Sequence, residues 1–495
     1  MPPSVPTGRE GPVWGHAVSK DMIHWKHVPV GLWNGDYLYE VHGIFTGSAT
    51  IVDGVPKLVF PGVCDVYPPG SATGGTLVRG CKYGYAFGSA TPSNRSDPFL
   101  INWTKSSDAI ANDTFDDPSS AWLTSTGEWR FIGHCGDGTV GDCGPTAPQF
   151  QSAPIWASKD HFKTWTKVGF TNLPAGECAS LYPLPPLVNG TILPSSATTE
   201  LTHVHYWGCG WLKNCYALGA WIDGKNTSTG SWTTASTSPT DGVLEDGIYY
   251  AAKDFWDSRH ERRIVWAWAP LYTSSMALPR EVRYDPRLEQ LVLSPLAEQA
   301  QLRNATLSSS PAHTQVKRGT PLRLSASVQS EVELIIQLPH EATQIVANFS
   351  LKSRRDDLGA AAVSFVIEYP SPPKAMGAAV GRAQNSGEYY VARVHGFSSA
   401  KPSSGVSAGG LTGDGDWEFS SDLRLFPGEK ELHVRLFFDH TIAEGYWQDR
   451  VAMTLPLATA DWTEQDDVEI VVSSNTKTPL GVSAHVWSVA SMWDE

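Results

Sequence analysis

Apolar residues along the first three hundred positions come in short bursts, separated by Gly, Pro, Asn and Asp. Residues 45–52, 129–133 and 153–158 are such bursts, and 248–253 and 263–268 repeat the pattern with branched and aromatic side chains. Runs of this length and composition predict strands joined by turns. The pattern shifts across residues 285–303, where Leu288, Leu291, Leu293, Leu296 and Leu302 predict a bridging strand and a short helical turn. From about residue 304 alternation takes over, in 332–338, 345–351, 362–369, 389–394, 432–438, 442–447, 468–472 and 482–487. Strands with one apolar face each are what two packed sheets need, so this second part predicts a β-sandwich. The Gly/Ser-rich stretch 398–415 reads as a long loop inside it.

A short repeat gives the first part a period. It reads Ser19-Lys20-Asp21-Met22-Ile23-His24-Trp25, then Ser96-Asp97-Pro98-Phe99-Leu100-Ile101-Asn102-Trp103, then Ser158-Lys159-Asp160-His161-Phe162-Lys163-Thr164-Trp165. The tryptophans fall roughly sixty to eighty residues apart, about the length of a four-stranded sheet with generous loops. Radial repetition of such sheets makes a β-propeller, a fold that gathers its functional loops around a central channel. A sandwich is the alternative for any strand-rich chain, and the repeat length favours the propeller. With 495 residues the chain is too long for one core, so two or three domains are expected.

Charge and composition narrow the partners. The net charge of −14, from 51 acidic and 37 basic residues, argues against nucleic acid, which needs a basic surface. No run of eighteen apolar residues suggests a membrane span. A neutral polyol such as a sugar is compatible with that charge. Seven asparagines begin an Asn-x-Ser/Thr triplet (Asn94, Asn102, Asn112, Asn189, Asn226, Asn304 and Asn348), where chance would give about two. N-glycans and a secretory route are therefore expected, although Met1-Pro2-Pro3-Ser4 opens without an apolar signal segment. Cysteine spacing agrees: Cys64 with Cys81, Cys135 with Cys143 and Cys209 with Cys215 are close enough to pair, leaving Cys178 reduced. His203-Val204-His205 reads as alternating strand imidazoles rather than a ligand pair. The segment 137–142 lacks the spacing of a calcium loop.

Two acidic positions carry the candidate chemistry. Asp116-Asp117-Pro118 cannot continue a helix, because the residue before proline is pushed to extended geometry. It reads as a strand end whose carboxylates point off the element while Ala121-Trp122 returns to the core. Gly176-Glu177-Cys178, some sixty residues on, puts a second carboxylate among small residues. Two carboxylates on separate strand ends suit glycoside chemistry, which needs a proton donor for the leaving oxygen and negative charge beside an oxocarbenium-like centre. Either motif alone is weak, since Asp-Pro is usually a turn.

In order, these motifs make the chain resemble glycoside hydrolase family 32, the invertases and fructan-active enzymes. Trp14-Gly15-His16-Ala17-Val18-Ser19-Lys20-Asp21, Gly43-Ile44-Phe45-Thr46-Gly47-Ser48, Ser96-Asp97-Pro98-Phe99, Asp117-Pro118, Glu177-Cys178, Tyr249-Tyr250-Ala251, Trp266-Ala267-Trp268 and Asp439-His440-Thr441-Ile442-Ala443-Glu444 carry the likeness. The resemblance implies an all-β chain, a five-bladed propeller over residues 1–303 with its first blade incomplete, then a sandwich over 304–495. It implies a retaining β-fructofuranosidase acting on sucrose or fructans, by hydrolysis or fructosyl transfer, with no cofactor and no metal. It implies a vacuolar, cell-wall or secreted location. By residue, Glu177 matches the general acid/base and Asp117 the transition-state stabiliser. Phe45 and Thr46 match positions lining the fructose pocket, and Glu245 matches an acid that contacts the second sugar, with Asp246 close enough to compete.

Three departures qualify the likeness. Asp116 stands where an Arg is usual, and a carboxylate cannot replace a donor fork. Ser180 stands where an Asp is usual, which removes a charge near the acid/base. Family members open with an Asn-Asp-Pro-Asn-Gly-type strand whose Asp is the nucleophile, yet thirteen residues precede Trp14 and none is Asp. The expectation is a chain with little or no turnover, the alternative being an inactive sugar-binding propeller.

Overall fold

The computed structural model describes residues 11–64, 85–112, 117–134, 152–184, 187–188, 191–192, 202–210, 212–224, 230–234, 242–270, 275–288, 290–338, 345–353, 361–369, 389–400, 417–457 and 468–493. These residues are nearly all strand, with two short 3-10 turns, Leu38–Glu40 and Ala297–Leu302. Antiparallel sheets follow one another in chain order. The first holds Trp14–Ser19 and Trp25–Leu32, and four larger sheets follow, centred on Val55–Val63, Ser152–Ser158, Thr202–Gly210 and Arg262–Ala269.

Contacts between consecutive sheets show why this is a five-bladed propeller. Trp14 Nε1 of the first donates to Phe45 O of the second at 2.9 Å. Ser48 Oγ of the second reaches Pro118 O beside the third at 2.7 Å. Trp122 Nε1 of the third meets Asp223 beside the fourth at 3.2 Å, and Tyr206 Oη of the fourth donates to Ala252 O of the fifth at 3.1 Å. The ring closes where Trp25 meets Trp266 edge-on, centroids 5.7 Å apart. Among the described residues the first blade has two strands against four or five in the third to fifth.

The serine–aspartate–tryptophan repeat has a physical basis. Each copy is the turn into an edge strand of a blade, organised by an aspartate that caps the backbone. Asp21 Oδ1 accepts from the amides of Ile23 and His24 at 3.1 and 2.8 Å. Asp97 accepts from Phe99 and Ile101, both at 3.0 Å, and Asp160 from Thr164 at 2.9 Å.

The chain leaves the propeller through Gln290–Pro295 and the turn Ala297–Leu302, the expected bridging strand and helical turn. Two sheets follow face to face. One runs through Gln329–Gln337, Glu431–Asp439, Ile442–Trp447 and Leu480–Val489, the other through Ile345–Ser353, Ala361–Tyr369, Tyr390–Ser398 and Val468–Ser474. Val332, Leu334, Ile336, Phe349, Phe365, Trp447 and Ile470 fill the space between them. The Gly/Ser-rich residues 401–415 and the segment 137–142 lie outside the described residues.

Of the cysteine pairs, Cys209 and Cys215 form a disulfide across the hairpin of the fourth blade. Cys64 is disulfide-bonded; its expected partner Cys81, with Cys135 and Cys143, lies outside the described residues. Cys178 is a buried thiol, as the spacing predicted. His205 Nε2 donates to Pro174 O, 2.7 Å away, and burial lowers its imidazole to about 4. His203 Nδ1 accepts from Trp221 N at 3.2 Å, so this pair serves the strands.

Candidate active site

Asp117 precedes the inner strand of the third blade and is buried, 6% exposed. Its carboxylate faces the fourth blade, where Oδ2 accepts from Cys178 N at 3.0 Å. Its backbone is held from two further directions. Lys253 Nζ of the fifth blade donates to Asp117 O and Pro118 O at 3.3 and 3.1 Å, and Ser48 of the second reaches Pro118 O. Three blades thus converge on the Asp-Pro step.

Glu177 lies next to that contact, exposed, at the entry to Ser180–Leu184. Gly176 allows the approach: a Cβ there would collide with Gly208 O, and Gly208 N donates to Glu177 O at 2.8 Å. Tyr250 Oη donates to Glu177 Oε2. Burial raises the Tyr250 phenol far above its usual value, with the bond to Glu177 and the charge of Asp117 adding to it. The structure therefore brings Glu177 and Asp117 together through the Cys178 amide, with the Tyr250 hydroxyl donating to Glu177.

The backbone here is strained. Asp117, Cys178 and Ala251 have φ of 60°, 55° and 51°, the left-handed region where a side chain costs on the order of 1–3 kcal/mol. Asp pays least for it, because its short polar side chain hydrogen-bonds locally. Three such residues around two carboxylates mark a place where position is fixed against local preference.

Phe45 and Thr46 sit just before Ser48, so the bond to Pro118 O brings their segment against the Asp117 turn. Phe45 is half-buried with its ring 5.9 Å from Tyr85, and Thr46 is exposed. Asp116 lies outside the described residues.

Glu245 is a correction. It is 2% exposed and lies where the propeller meets the sandwich. Its carboxylate is paired with Arg280 and accepts from the amide and hydroxyl of Thr454, at 2.5 and 3.1 Å. Arg280 also donates to Glu444 at 2.8 Å and to Tyr446 Oη at 3.1 Å. Both Glu245 oxygens are used and none faces solvent, so this residue pins the two units together rather than touching a second sugar. Glu444, from the Asp-His-Thr-Ile-Ala-Glu segment, belongs to the same pin. Asp246 is half-buried, and burial raises its carboxyl.

Ser180 changes meaning as well. Its hydroxyl donates to Asp254 Oδ1 at 2.5 Å, so a carboxylate reaches this spot from the fifth blade. Sequence reasoning assigned no role to Tyr250, Lys253 or Asp254. Tyr250 was within a quoted motif, but only the fold shows that its hydroxyl crosses to the fourth blade.

Known proteins resemble this chain in sequence and in fold. The chain is 26% identical over 376 residues to acid β-fructofuranosidase 4, vacuolar, of Arabidopsis thaliana, covering 70% of this chain and 52% of that protein. It is 31% identical over 302 residues to an acid β-fructofuranosidase of Vigna radiata var. radiata, covering 56% of this chain and 42% of that one. The chain spans about half the length of these curated relatives. In fold it is similar to the crystal structure of fructan 1-exohydrolase IIa from Cichorium intybus, with a TM-score of 0.70, 19% identity, and 100% of this chain and 93% of that chain covered. Residues 4–295 match the glycosyl hydrolases family 32 N-terminal domain, and the chain belongs to glycoside hydrolase family 32.

Proposed function

We propose that this chain carries the fructose-binding and acid/base half of a retaining β-fructofuranosidase site for sucrose or fructans. The observation that carries the reading is the meeting of Glu177, bonded by Tyr250, with Asp117, bonded by the amide next to Glu177. Glu177 is exposed, so it can meet a glycosidic oxygen, protonate it, and then take a proton from the incoming water or sugar. Asp117 is buried and already accepts from a backbone amide, which suits a carboxylate that grips hydroxyls and offsets positive charge. Phe45 and Thr46 are proposed to line the fructose pocket from the second blade. The unit doing this is residues 1–303, braced by 304–495. The lumen of the vacuole, the cell wall or the exterior is the proposed location, with N-glycans at the seven triplets.

Retention needs a nucleophile about 5 Å from the acid/base. No Asp precedes Trp14 in this sequence. We therefore propose that the 495-residue chain by itself binds fructose but turns over sucrose poorly, since losing one member of a catalytic unit costs on the order of 10⁴–10⁶ in turnover. The test is glucose release from sucrose at acidic pH by the purified chain, with Glu177→Gln beside it and fructose titrated calorimetrically. Robust release abolished by Glu177→Gln overturns the proposed low activity; absence of fructose binding overturns the pocket.

A further inference from the structure

We propose that Asp254 is a positioning residue for the Glu177 turn, a role that rests on Glu177 being the acid/base. Asp254 is 8% exposed, yet it makes three polar contacts that join two blades. Oδ1 accepts from Ser180 Oγ at 2.5 Å and Tyr206 Oη at 3.0 Å, and Oδ2 accepts from Arg263 at 2.7 Å. Arg263 in turn lies over the Tyr182 ring, 4.3 Å from its centroid.

These contacts close a loop around the acid/base. Glu177 is held by Tyr250; Tyr250 and Asp254 share the strand Tyr250–Asp257; Asp254 holds Ser180, and Ser180 follows Glu177 by three residues. The loop is needed because the regular ladder fails where it would otherwise serve. Register slips between Tyr250 and Lys253, with Ala251 in the left-handed region, and regular pairing resumes with Lys253 opposite Trp266 and Asp254 opposite Val265. On the other blade, Cys178 is left-handed too. Two irregular segments therefore face each other, and the Asp254 carboxylate is anchored at the regular edge of both. Lys253, next in sequence, fixes the Asp117 backbone from the same place. One short stretch of the fifth blade thus sets the separation of Glu177 and Asp117.

The test uses the thiol beside the acid/base as a reporter. Cys178 is buried, and its amide is the donor to Asp117. Native-state alkylation by iodoacetamide, mapped to the Cys178 peptide, is measured for the wild-type chain, Asp254→Ser, and the exchange Ser180→Asp/Asp254→Ser, which moves the carboxylate across the same hydrogen bond. Leu334→Ala, in the sandwich core, supplies a loss of global stability remote from the site. The expected result is alkylation at least about tenfold faster in Asp254→Ser, with the exchange back within about threefold of wild type, as for local opening of one segment. Leu334→Ala should leave the rate unchanged under the same native conditions. Equal acceleration in Asp254→Ser and Leu334→Ala overturns the proposal, as does an exchange variant that stays fast or does not fold. If Asp254→Ser itself does not fold, the exchange variant decides alone. A wild-type chain that fails to bind fructose overturns the acid/base reading, which the alkylation series does not touch.

Discussion

Two carboxylate centres in this molecule use the same parts to opposite ends. Where the blades converge, Glu177 meets a tyrosine hydroxyl and Asp117 a backbone amide, and Glu177 is open to solvent. At the boundary with the sandwich, Glu245 and Glu444 also meet a tyrosine and a backbone amide, but fully buried Arg280 sits between them. A buried charge must be paired, and once paired its oxygens are unavailable to a substrate. An exposed carboxylate with one polar partner keeps free lone pairs for a proton. Exposure of the Glu177 carboxylate, not residue type, separates the proposed site from the pin.

The contrast is broken most severely by removing the countercharge. Arg280→Ala leaves two carboxylates in a dry boundary and should cost about 3–5 kcal/mol, read from urea unfolding. A loss below about 1 kcal/mol would mean that the pin is hydrated and the contrast unfounded.

Titration sharpens it next, because buried groups on the two sides have opposite signs. Behind the Glu177 strand, burial depresses His205 from 6.5 to about 4, so its unfolded form binds a proton first. The stability it contributes is complete above pH 6.5 and is lost as pH falls toward 4, by about 3 kcal/mol in all. His205→Gln should flatten that limb of a stability–pH curve. In the pin, burial raises Glu245 above the usual carboxylate range against the pull of Arg280, with Glu444 adding to the rise. A folded carboxyl that holds its proton more tightly favours the folded state at low pH, and that advantage fades as pH climbs above 4.5. Glu245→Gln should remove this slope and leave the His205 limb intact.

Asp117→Ala is expected to be intermediate. It removes the carboxylate that the buried Cys178 amide donates to and should cost about 1–3 kcal/mol in thermal unfolding, together with fructose binding. Smallest is Glu177→Gln, which keeps the shape of an exposed side chain and should change stability by less than about 0.5 kcal/mol. A large loss there would show that the open carboxylate is a structural group after all.

How far the sequence led depends on whether a feature is local. The repeated Ser-Asp-Trp turns are local: each aspartate caps amides two to four residues further on, so the propeller was legible from them. The alternating sandwich strands were legible for the same reason. Edge strands were not: Arg303–Ser309 is polar on both faces, and Val451–Pro456 is buried throughout, so neither alternates. At the site, Glu177 and Asp117 could be picked out because glycine and proline mark their turns. Glu245 was misplaced because nothing around it in sequence reveals Arg280, which reaches it across the propeller–sandwich boundary. Asp254 was invisible for a similar reason, since its partner Ser180 comes from another blade.

The last described strand, Leu480–Val489, belongs to the sandwich, yet the chain then returns to the first blade. Trp25 N donates to Met492 O at 2.7 Å, and the Trp493 ring lies flat on His27 with centroids 3.9 Å apart. Residues 492 and 493 thus clasp the first blade, and the sandwich is fastened back onto the ring as a belt is by its buckle. Local opening at residues 492 and 493 would be felt at Trp25 and His27, so fraying beside the sandwich is coupled to the propeller ring through these two contacts.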